Sequence, residues 1–466
     1  MDNEFDVIVI GGGPAGENVV GRCADGGLEV ALVEHELVGG ECSYWGCIPS
    51  KTLIRPGDAI AAARRVPGAA EAVTGPLDAA AAFARRDYMV NNWSDASQAR
   101  WLESQSVALV RGRGRLAGER AVEVEAADGS TRTLAARRAV VLATGTGPVI
   151  PPIDGLRDIS TWDNRDVTSA KELPRRLLVL GGGAIGAEMA QAFKRLGCEE
   201  VTVVEALDRL LAMEEPFAGE ELRVAFEAEG ITVIVGSRMT AARRDGSDGP
   251  VVATLEDGRE LSADEILVAV GRRPSTGDVG LDRVGLGDKA GRFVDVDDAL
   301  RVQGVDGDWL YAVGDCNGRA LLTHMGKYQG RLCAAVILGK DATSVADHGI
   351  VPRVTFTDPQ VCAVGLTEKQ ARDDGFDVRV VTYGTGDVPG AYTLGEGVSG
   401  TSQLVVDERR RVIVGATFTG PGIQELLHSA TIAIAGEVTV DQLWHAVPAF
   451  PTVSEVWLHL LEAYGL

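Results

Sequence analysis

The chain has no long hydrophobic run. Its N-terminus, Met1-Asp2-Asn3-Glu4-Phe5-Asp6, is acidic, and the apolar stretch that follows, Val7-Ile8-Val9-Ile10, is far too short for a signal-peptide core or a membrane span. Positive charge is also in short supply. The 45 Lys and Arg against 67 Asp and Glu leave a net charge of −22, which argues against nucleic acid and anionic membrane surfaces as partners. Cysteine is sparse: seven residues at 23, 42, 47, 198, 316, 333 and 362, an odd count without the spacing of a disulfide framework. No second Cys/His pair accompanies Cys42 and Cys47, so a zinc site is not expected and no metal is assigned. These absences give a soluble, cytoplasmic protein as the expectation, with the five outlying cysteines as small buried apolar residues.

What is present is a repeat at long range. Val7-Ile8-Val9-Ile10-Gly11-Gly12-Gly13-Pro14-Ala15-Gly16 is a β-branched run followed by a glycine turn, and Leu177-Leu178-Val179-Leu180-Gly181-Gly182-Gly183-Ala184-Ile185-Gly186 repeats it. Each is followed by a helical stretch and a second strand that ends in an acid, Glu34 and Glu205, 18 and 19 residues beyond the last glycine. In such a unit the first glycine makes the tight turn and the second lets the backbone approach a pyrophosphate. The third allows close helix–strand packing, and the acid meets a ribose diol. One glycine turn alone could be an ordinary βαβ connection; two, each with strand, helix and acid in register, point to two dinucleotide sites. Glu205 in the second favours NADH over NADPH, because a carboxylate repels a 2′-phosphate and accepts a 2′-hydroxyl.

The chain is 466 residues long, more than one hydrophobic core accommodates, so two or three domains are expected. Residues 58–111 are rich in Ala and Arg with helical spacing. Residues 121–134 read as a hairpin around Asp128-Gly129, and a strand over 139–142 runs into Ala143-Thr144-Gly145-Thr146-Gly147. A second Asp-Gly hairpin, at Asp257-Gly258, precedes a strand over 265–270 and Gly271-Arg272-Arg273-Pro274. Another strand ends in Gly314-Asp315. From about 344 onward the pattern changes to alternating strands, a glycine-rich patch over 384–400, an apolar helix over 423–435 and an amphipathic stretch over 453–461, as in a separate α+β domain.

Between the two repeats lies Gly39-Gly40-Glu41-Cys42-Ser43-Tyr44-Trp45-Gly46-Cys47-Ile48-Pro49-Ser50-Lys51. A close Cys pair in a reducing compartment is catalytic or metal-binding rather than a staple. Five rises of an ideal helix separate such a pair by about 7.5 Å. A disulfide needs Cα atoms within about 7 Å, so the segment is expected to bend, with Gly46 and Pro49 placed to bend it.

On these residues the chain resembles the class I pyridine nucleotide–disulfide oxidoreductases, the flavoprotein group of dihydrolipoamide dehydrogenase, glutathione reductase and mercuric reductase. The Cys42 to Lys51 segment, the Ala-Thr-Gly, Gly-Arg-Arg-Pro and Gly-Asp motifs, and Asp358-Pro359 with Val364-Gly365-Leu366-Thr367 follow the family's order along essentially the whole chain. The resemblance implies an α/β fold: two Rossmann-type dinucleotide-binding domains plus a C-terminal α+β dimerisation domain. It places an FAD-binding domain at 1–150 and 275–343, an NAD(P)-binding domain at 151–274 and an interface domain at 344–466. FAD would lie against Gly11, Gly13, Pro14, Ala15, Gly16, Glu34, Gly40, Glu41, Thr144, Gly145, Gly314 and Asp315. The nicotinamide nucleotide would lie against Gly181, Gly183, Gly186 and Glu205, and Gly271 and Arg272 are further cofactor-binding positions. Lys51 and Glu188 would pair near flavin N5. The implied electron path runs from the nicotinamide through the flavin to Cys42–Cys47, with Cys47 as the charge-transfer thiolate and Cys42 as the interchange thiol. Helix dipole and neighbouring charge are expected to lower the thiol pKa values. A homodimer is implied, each active site completed by the other subunit's Glu455.

The chain departs from this family in one segment. Where the pattern is His-Pro-Thr-x-Ser-Glu, it reads Phe450-Pro451-Thr452-Val453-Ser454-Glu455. A phenyl ring transfers no proton. His445, five residues earlier, is the nearest imidazole, although a lone His in an apolar stretch is more often packed than catalytic. Nor does the chain end in the Cys pair of mercuric reductase. The reading is an FAD-dependent NAD(P)H oxidoreductase with a working dithiol and a small-molecule disulfide as substrate. The alternatives are dihydrolipoamide dehydrogenase itself, a diaphorase or quinone reductase whose flavin reacts directly, and a non-enzymatic scaffold or redox sensor.

Overall fold

A computed structural model describes residues 3–246 and 249–466 and groups them into two compact units. The first comprises the residues up to Pro49, Asp87–Val149 and Gly271–His348. Its centre is the strand Glu4–Ile10, in which Val7, Ile8, Val9 and Ile10 are all buried, so that both faces are covered, as a central parallel strand requires. It pairs in parallel with Val30–Glu34 on one side and Thr131–Leu142 on the other, with Val7 opposite Val30 and Ala139. The sheet continues to Ala108–Arg111 at one end and to Ala121–Glu125 and Arg113–Gly118 at the other, while Leu310–Ala312 pairs with the end of Thr131–Leu142. The Asp128-Gly129 hairpin thus forms where expected, and its second strand extends through the shorter strand read from sequence.

The helical reading of 58–111 needs correction at its end. Helices cover Cys47–Arg64, Ala79–Met89 and Ala96–Ser104, but Ala108–Arg111 is a strand. Pairing with Val30–Glu34 and burial of Val110 outweigh the helical preference of its Ala, Leu and Arg.

The second unit comprises Ser50–Arg86, Ile150–Val270 and Gly349–Leu466. Residues 50–86, read from sequence as part of the FAD-binding domain, group here. Four parallel strands, in the order Ile231–Ile234, Glu200–Val204, Arg176–Leu180 and Glu265–Val268, repeat the first unit's motif. The last of them ends at Val268, two residues short of the expected strand. A three-stranded antiparallel sheet contains the Asp257-Gly258 hairpin. The C-terminal part is a five-stranded antiparallel sheet whose central strand, Val412–Gly420, is buried throughout. The expected apolar helix begins as a 3₁₀ turn, Ile423–Glu425, and continues as Leu427–Ala435. The closing helix is Val456–Tyr464. It buries Val456, Trp457, Leu460, Leu461 and Tyr464, an i, i+4 pattern that lays Trp457 against Phe418. The architecture is the expected one of two Rossmann-type units and a C-terminal α+β domain. Among the described residues, no helix is long and apolar enough to cross a membrane.

Candidate active site

The first glycine turn shows why glycine is needed there. Gly11 has φ +108°, and a Cβ on it would stand 2.3 Å from the carbonyl oxygen of Ala143. A Cβ on Gly16 would stand 2.1 Å from the oxygen of Gly11, so the helix Pro14–Asp25 can sit this low on the strand only without a side chain. Gly13 is different: its Cβ direction is open, with no heavy atom within 4 Å. Gly13 is also the N-cap, and no side chain caps the helix there. Pro14 occupies the first helical position, where its missing N–H costs nothing, and Ala15 follows. The helix N-terminus therefore presents backbone N–H groups to open space, as a pyrophosphate site does. Glu34 ends the second strand. Its carboxylate accepts the N–H of Gly12 at 2.6 Å and of Glu36 at 2.7 Å. Burial raises the Glu34 carboxyl, but hydrogen bonds from His35, Glu36 and Gly12 together hold it below the ordinary carboxylate range.

The second turn repeats these dimensions. Gly181 has φ +108° and a built Cβ 2.5 Å from Ala269 O, and a Cβ on Gly186 would lie 2.0 Å from Gly181 O. Gly183 is again open and again an N-cap without a side-chain cap. Glu205 accepts the N–H groups of Gly182 at 2.6 Å and Leu207 at 2.7 Å. Arg209, the nearest cation beyond the acid, is turned elsewhere. It binds Asp208 at 3.1 Å and the carbonyl of Ala212 at 3.0 Å.

One face of the helix Ala184–Leu196 is zipped to residues 356–358. Glu188 Oε1 accepts the N–H of Phe356 at 3.0 Å, and Gln191 exchanges both its amide groups with the backbone of Asp358. Arg195 reaches the Asp358 carboxylate at 2.8 Å, Glu229 at 2.6 Å and Asp58 at 3.1 Å. Lys51, on the helix Cys47–Arg64, closes the same face from the other side. Its Nζ donates to Glu188 Oε2 at 2.7 Å and lies 4.7 Å from the centroid of the Phe356 ring. The pair proposed from sequence is thus in contact. Its support, Phe356, Gln191, Arg195 and Asp358, was not read from sequence, because nothing local links positions more than 160 residues apart. Removing one partner of the buried Arg195–Asp358 pair costs about 3–5 kcal/mol.

Cys42 lies in the short helix Gly40–Tyr44 and Cys47 opens the helix Cys47–Arg64. The break between them falls at Trp45 and Gly46, and a Cβ on Gly46 would press within 3.1 Å of Glu41 O. Gly46 therefore does what its position suggested. Pro49 does not bend the segment: it sits in the first turn of the second helix, where proline is tolerated. Both cysteines are thiols here, and Cys47 is the neighbour that acts most on the Cys42 thiol. Cys47 Sγ also lies 3.4 Å from the hydroxyl oxygen of Thr323, a neighbour 276 residues away that sequence gave no means of finding. The expected lowering of both thiols fails at Cys42. The hydrogen bond to Cys47, burial and the charge on Cys47 hold its thiol well above the ordinary range. The other five cysteines are buried, as expected.

The Gly-Asp turn converges with the Ala-Thr-Gly and Gly-Arg-Arg-Pro motifs. Gly145 has φ +68°, Gly271 φ +135° and Gly314 φ +75°. Thr146, two residues beyond Thr144, donates to Asp315 Oδ2 at 2.8 Å and accepts from Arg272 Nε at 2.7 Å. Arg272 also lies 3.6 Å from Glu41. Burial raises the Asp315 carboxyl against the opposing pull of Thr146 and Arg272. Gly40 lies against the first turn, its built Cβ 2.9 Å from the Cα of Gly13. An open glycine, an uncapped helix and an acid closing the second strand fit a dinucleotide at each turn. The polar Asp315 cluster, in the same unit as the first turn, fits the flavin end of FAD.

In the C-terminal part, Phe450 is 73% exposed and His445 is exposed. Glu455 Oε2 is buried and has no hydrogen-bond partner among the described residues. No group of three or more metal-ligating side chains occurs among the described residues.

These features agree with the relatives. Residues 5–330 match the family model described as pyridine nucleotide-disulphide oxidoreductase, and residues 351–461 match its dimerisation domain. Dihydrolipoyl dehydrogenase from Mycobacterium leprae is 32% identical over 461 residues, covering 97% of this chain and 96% of the relative. A mercuric reductase from Staphylococcus aureus is 28% identical, covering 97% of this chain and 81% of its own length. Among solved structures, the Cu(II) complex of the HOCl-induced flavoprotein disulfide reductase RclA from Escherichia coli superposes with a TM-score of 0.86, at 25% identity over 99% of both chains.

Proposed function

Because the chain belongs to the pyridine nucleotide-disulphide oxidoreductase family, whose members are FAD-dependent enzymes, we propose that it takes electrons from NADH and delivers them through Cys42 and Cys47 to a small-molecule disulfide. The observation that carries this reading is the Cys pair: two thiols across the Trp45–Gly46 break, Cys47 beside Thr323, with Lys51 one helical turn beyond Cys47. FAD, when bound, supplies two-electron transfer between a nicotinamide and the dithiol. The first turn, with Glu34, Gly40 and Glu41, holds its adenosine and pyrophosphate side, and Thr144, Gly145, Gly314 and Asp315 hold its flavin side. The second turn, with Glu205, holds NADH, while Gly271 and Arg272, the latter bonded to Thr146 in the Asp315 cluster, belong to the flavin side. Lys51 and Glu188 form the polar pair proposed to act near flavin N5. The domain limits follow the family: FAD at 1–150 and 275–343, nicotinamide at 151–274, and interface at 344–466. The dimerisation domain makes the working unit a homodimer, and Glu455 faces the partner's site. A free Cys pair of this kind belongs in the reducing cytoplasm.

In the exchange, Cys42 Sγ attacks one sulfur of the substrate and expels the other as a thiol. Cys47 Sγ then displaces the second, leaving the Cys42–Cys47 disulfide and two substrate thiols. The two protons come from the dithiol. Cys42 holds its proton tightly, so attack requires that Cys47 or an outside base take it. The position of that base in the family pattern is Phe450 here, and Glu455 Oε2 has no hydrogen-bond partner among the described residues. This favours a second reading: an acceptor, such as a quinone, that takes electrons without that proton relay.

Reductive titration with NADH or dithionite decides whether the pair works. We expect uptake of about four electrons per flavin with a long-wavelength charge-transfer band midway, falling to about two in Cys42→Ser with loss of disulfide turnover. Uptake of two electrons by the wild type overturns the reading. Phe450→His separates the two acceptors. If a disulfide is the substrate, the new imidazole raises turnover roughly ten- to a hundredfold, with a pH dependence near neutrality. An unchanged rate favours the quinone.

A further inference from the structure

The Gly314–Asp315 turn is held from behind by a buried amide. Gln329, fully buried on the helix Thr323–Ile337, accepts with Oε1 from the N–H of Gly314 at 2.7 Å and from Asn317 Nδ2 at 2.8 Å. Both donors are fixed. Gly314 offers a backbone N–H, and Asn317 Nδ2 also donates to Ala312 O at 3.1 Å while its Oδ1 accepts from Arg319 N at 3.1 Å. The amide of Gln329 therefore has one allowed orientation, with Nε2 pointing away from the turn. There it donates to Asp347 Oδ2 at 3.1 Å. The Asp347 side chain is only 1% exposed. Its Oδ2 also lies 3.4 Å from Arg319 Nη1, while its Oδ1 is buried with no partner among the described residues. A carboxylate buried with one oxygen unpartnered is costly, and the contacts it does make account for its place: it orients an amide and neutralises Arg319.

We propose that Gln329 and Asp347 are positioning residues for Asp315, setting the backbone of the turn that presents its carboxylate to the flavin end of FAD. Gly314 sits at φ +75°, outside the range most residues prefer, and the Gln329 bond to its N–H holds that conformation. On the other side Thr146 and Arg272 hold the Asp315 side chain. The turn is thus fixed through its backbone by one pair and through its carboxylate by another. This inference rests on the reading of Asp315 as an FAD-holding residue.

The test exchanges donor and acceptor across one hydrogen bond. Gln329→Glu keeps the acceptor toward Gly314 but sets a carboxylate against Asp347. Adding Asp347→Asn restores a donor across the pair. We measure the FAD dissociation constant by flavin fluorescence, the flavin absorption spectrum, and the thermal unfolding of each apoprotein. Gln329→Glu should weaken FAD binding about tenfold or more, and the double variant should recover to within about threefold of wild type. Asp347→Ala alone, which removes the acceptor facing the amide, should weaken binding about threefold and decides the matter if Gln329→Glu does not fold. Wild-type affinity in Gln329→Glu, no recovery in the double variant, or wild-type affinity in Asp347→Ala where that arm decides, each overturns the proposal. Asp315→Asn is the separate control. If it binds FAD as tightly as wild type, the reading of Asp315 has failed; if it binds weakly while Gln329→Glu does not, the failure belongs to this inference alone.

Discussion

At the first glycine turn a Cβ on the third glycine would lie 2.1 Å from a backbone oxygen, and at the second turn 2.0 Å. Both turns leave the middle glycine open and the helix uncapped by any side chain. They differ in what surrounds them. The first helix is clasped by Thr323–Ile337, where a Cβ on Gly330 would stand 2.7 Å from Ala15 O, and the same unit carries the part-buried Asp315, Thr146, Arg272 and Gln329 network. Around the second turn, Ile185, Leu207, Met213 and Val270 are left exposed. On the function proposed above, one βαβ device serves two purposes. The turn backed by a second helix and a polar network is the one proposed to retain FAD, and the turn with an apolar, solvent-facing rim is the one proposed to exchange the nicotinamide nucleotide.

The largest expected effects come from giving both turns the same insult. Gly16→Ala should yield protein without bound flavin, since the new methyl cannot be accommodated without moving the turn. Gly186→Ala should stay yellow and lose NADH reduction by about a hundredfold or more, while dithionite still reduces it. Visible spectra and stopped-flow reduction read the two outcomes. If Gly186→Ala also loses its flavin, the turns are not independent and the contrast between retained and exchanged nucleotide falls.

How much of this contrast was legible in the chain depends on distance along it. The two turns, Glu34, Glu205, the Cys pair and the Gly46 break are local patterns, and local geometry dictates each. Lys51 and Glu188 were legible only through resemblance, yet they meet at 2.7 Å. What differs between the turns was not legible. Gln329 acts on Gly314 across 15 residues and Thr323 on Cys47 across 276, and no periodicity marks either side chain as polar for a purpose. Ala108–Arg111 was missed for a related reason: its sequence favours helix, and only the exposed edge of Val30–Glu34 makes it a strand. Proline misled in the opposite way. Pro49 reads as a bend but occupies a helix's first turn, where its lost N–H has no partner to lose.

The smallest expected effect sharpens the comparison at the acids. Glu34 and Glu205 brace their turns alike, each accepting two backbone N–H groups. At Glu34 the brace is also electrostatic, since His35 and the two N–H groups hold the carboxyl below its ordinary range despite burial. Glu205 has Leu207 exposed beside it and Arg209 bound to Asp208 and Ala212, so its carboxylate is the charge a 2′-phosphate would meet. Glu205→Gln keeps one acceptor oxygen for the turn and removes the charge. The KM for NADH should rise severalfold and the preference for NADH over NADPH should narrow by about tenfold, with kcat nearly unchanged. Glu34→Gln should leave that preference where it was and weaken FAD binding instead. Equal NADH and NADPH kinetics in wild type and Glu205→Gln would reduce Glu205 to a brace and make the two acids, like the two turns, equivalent in structure alone.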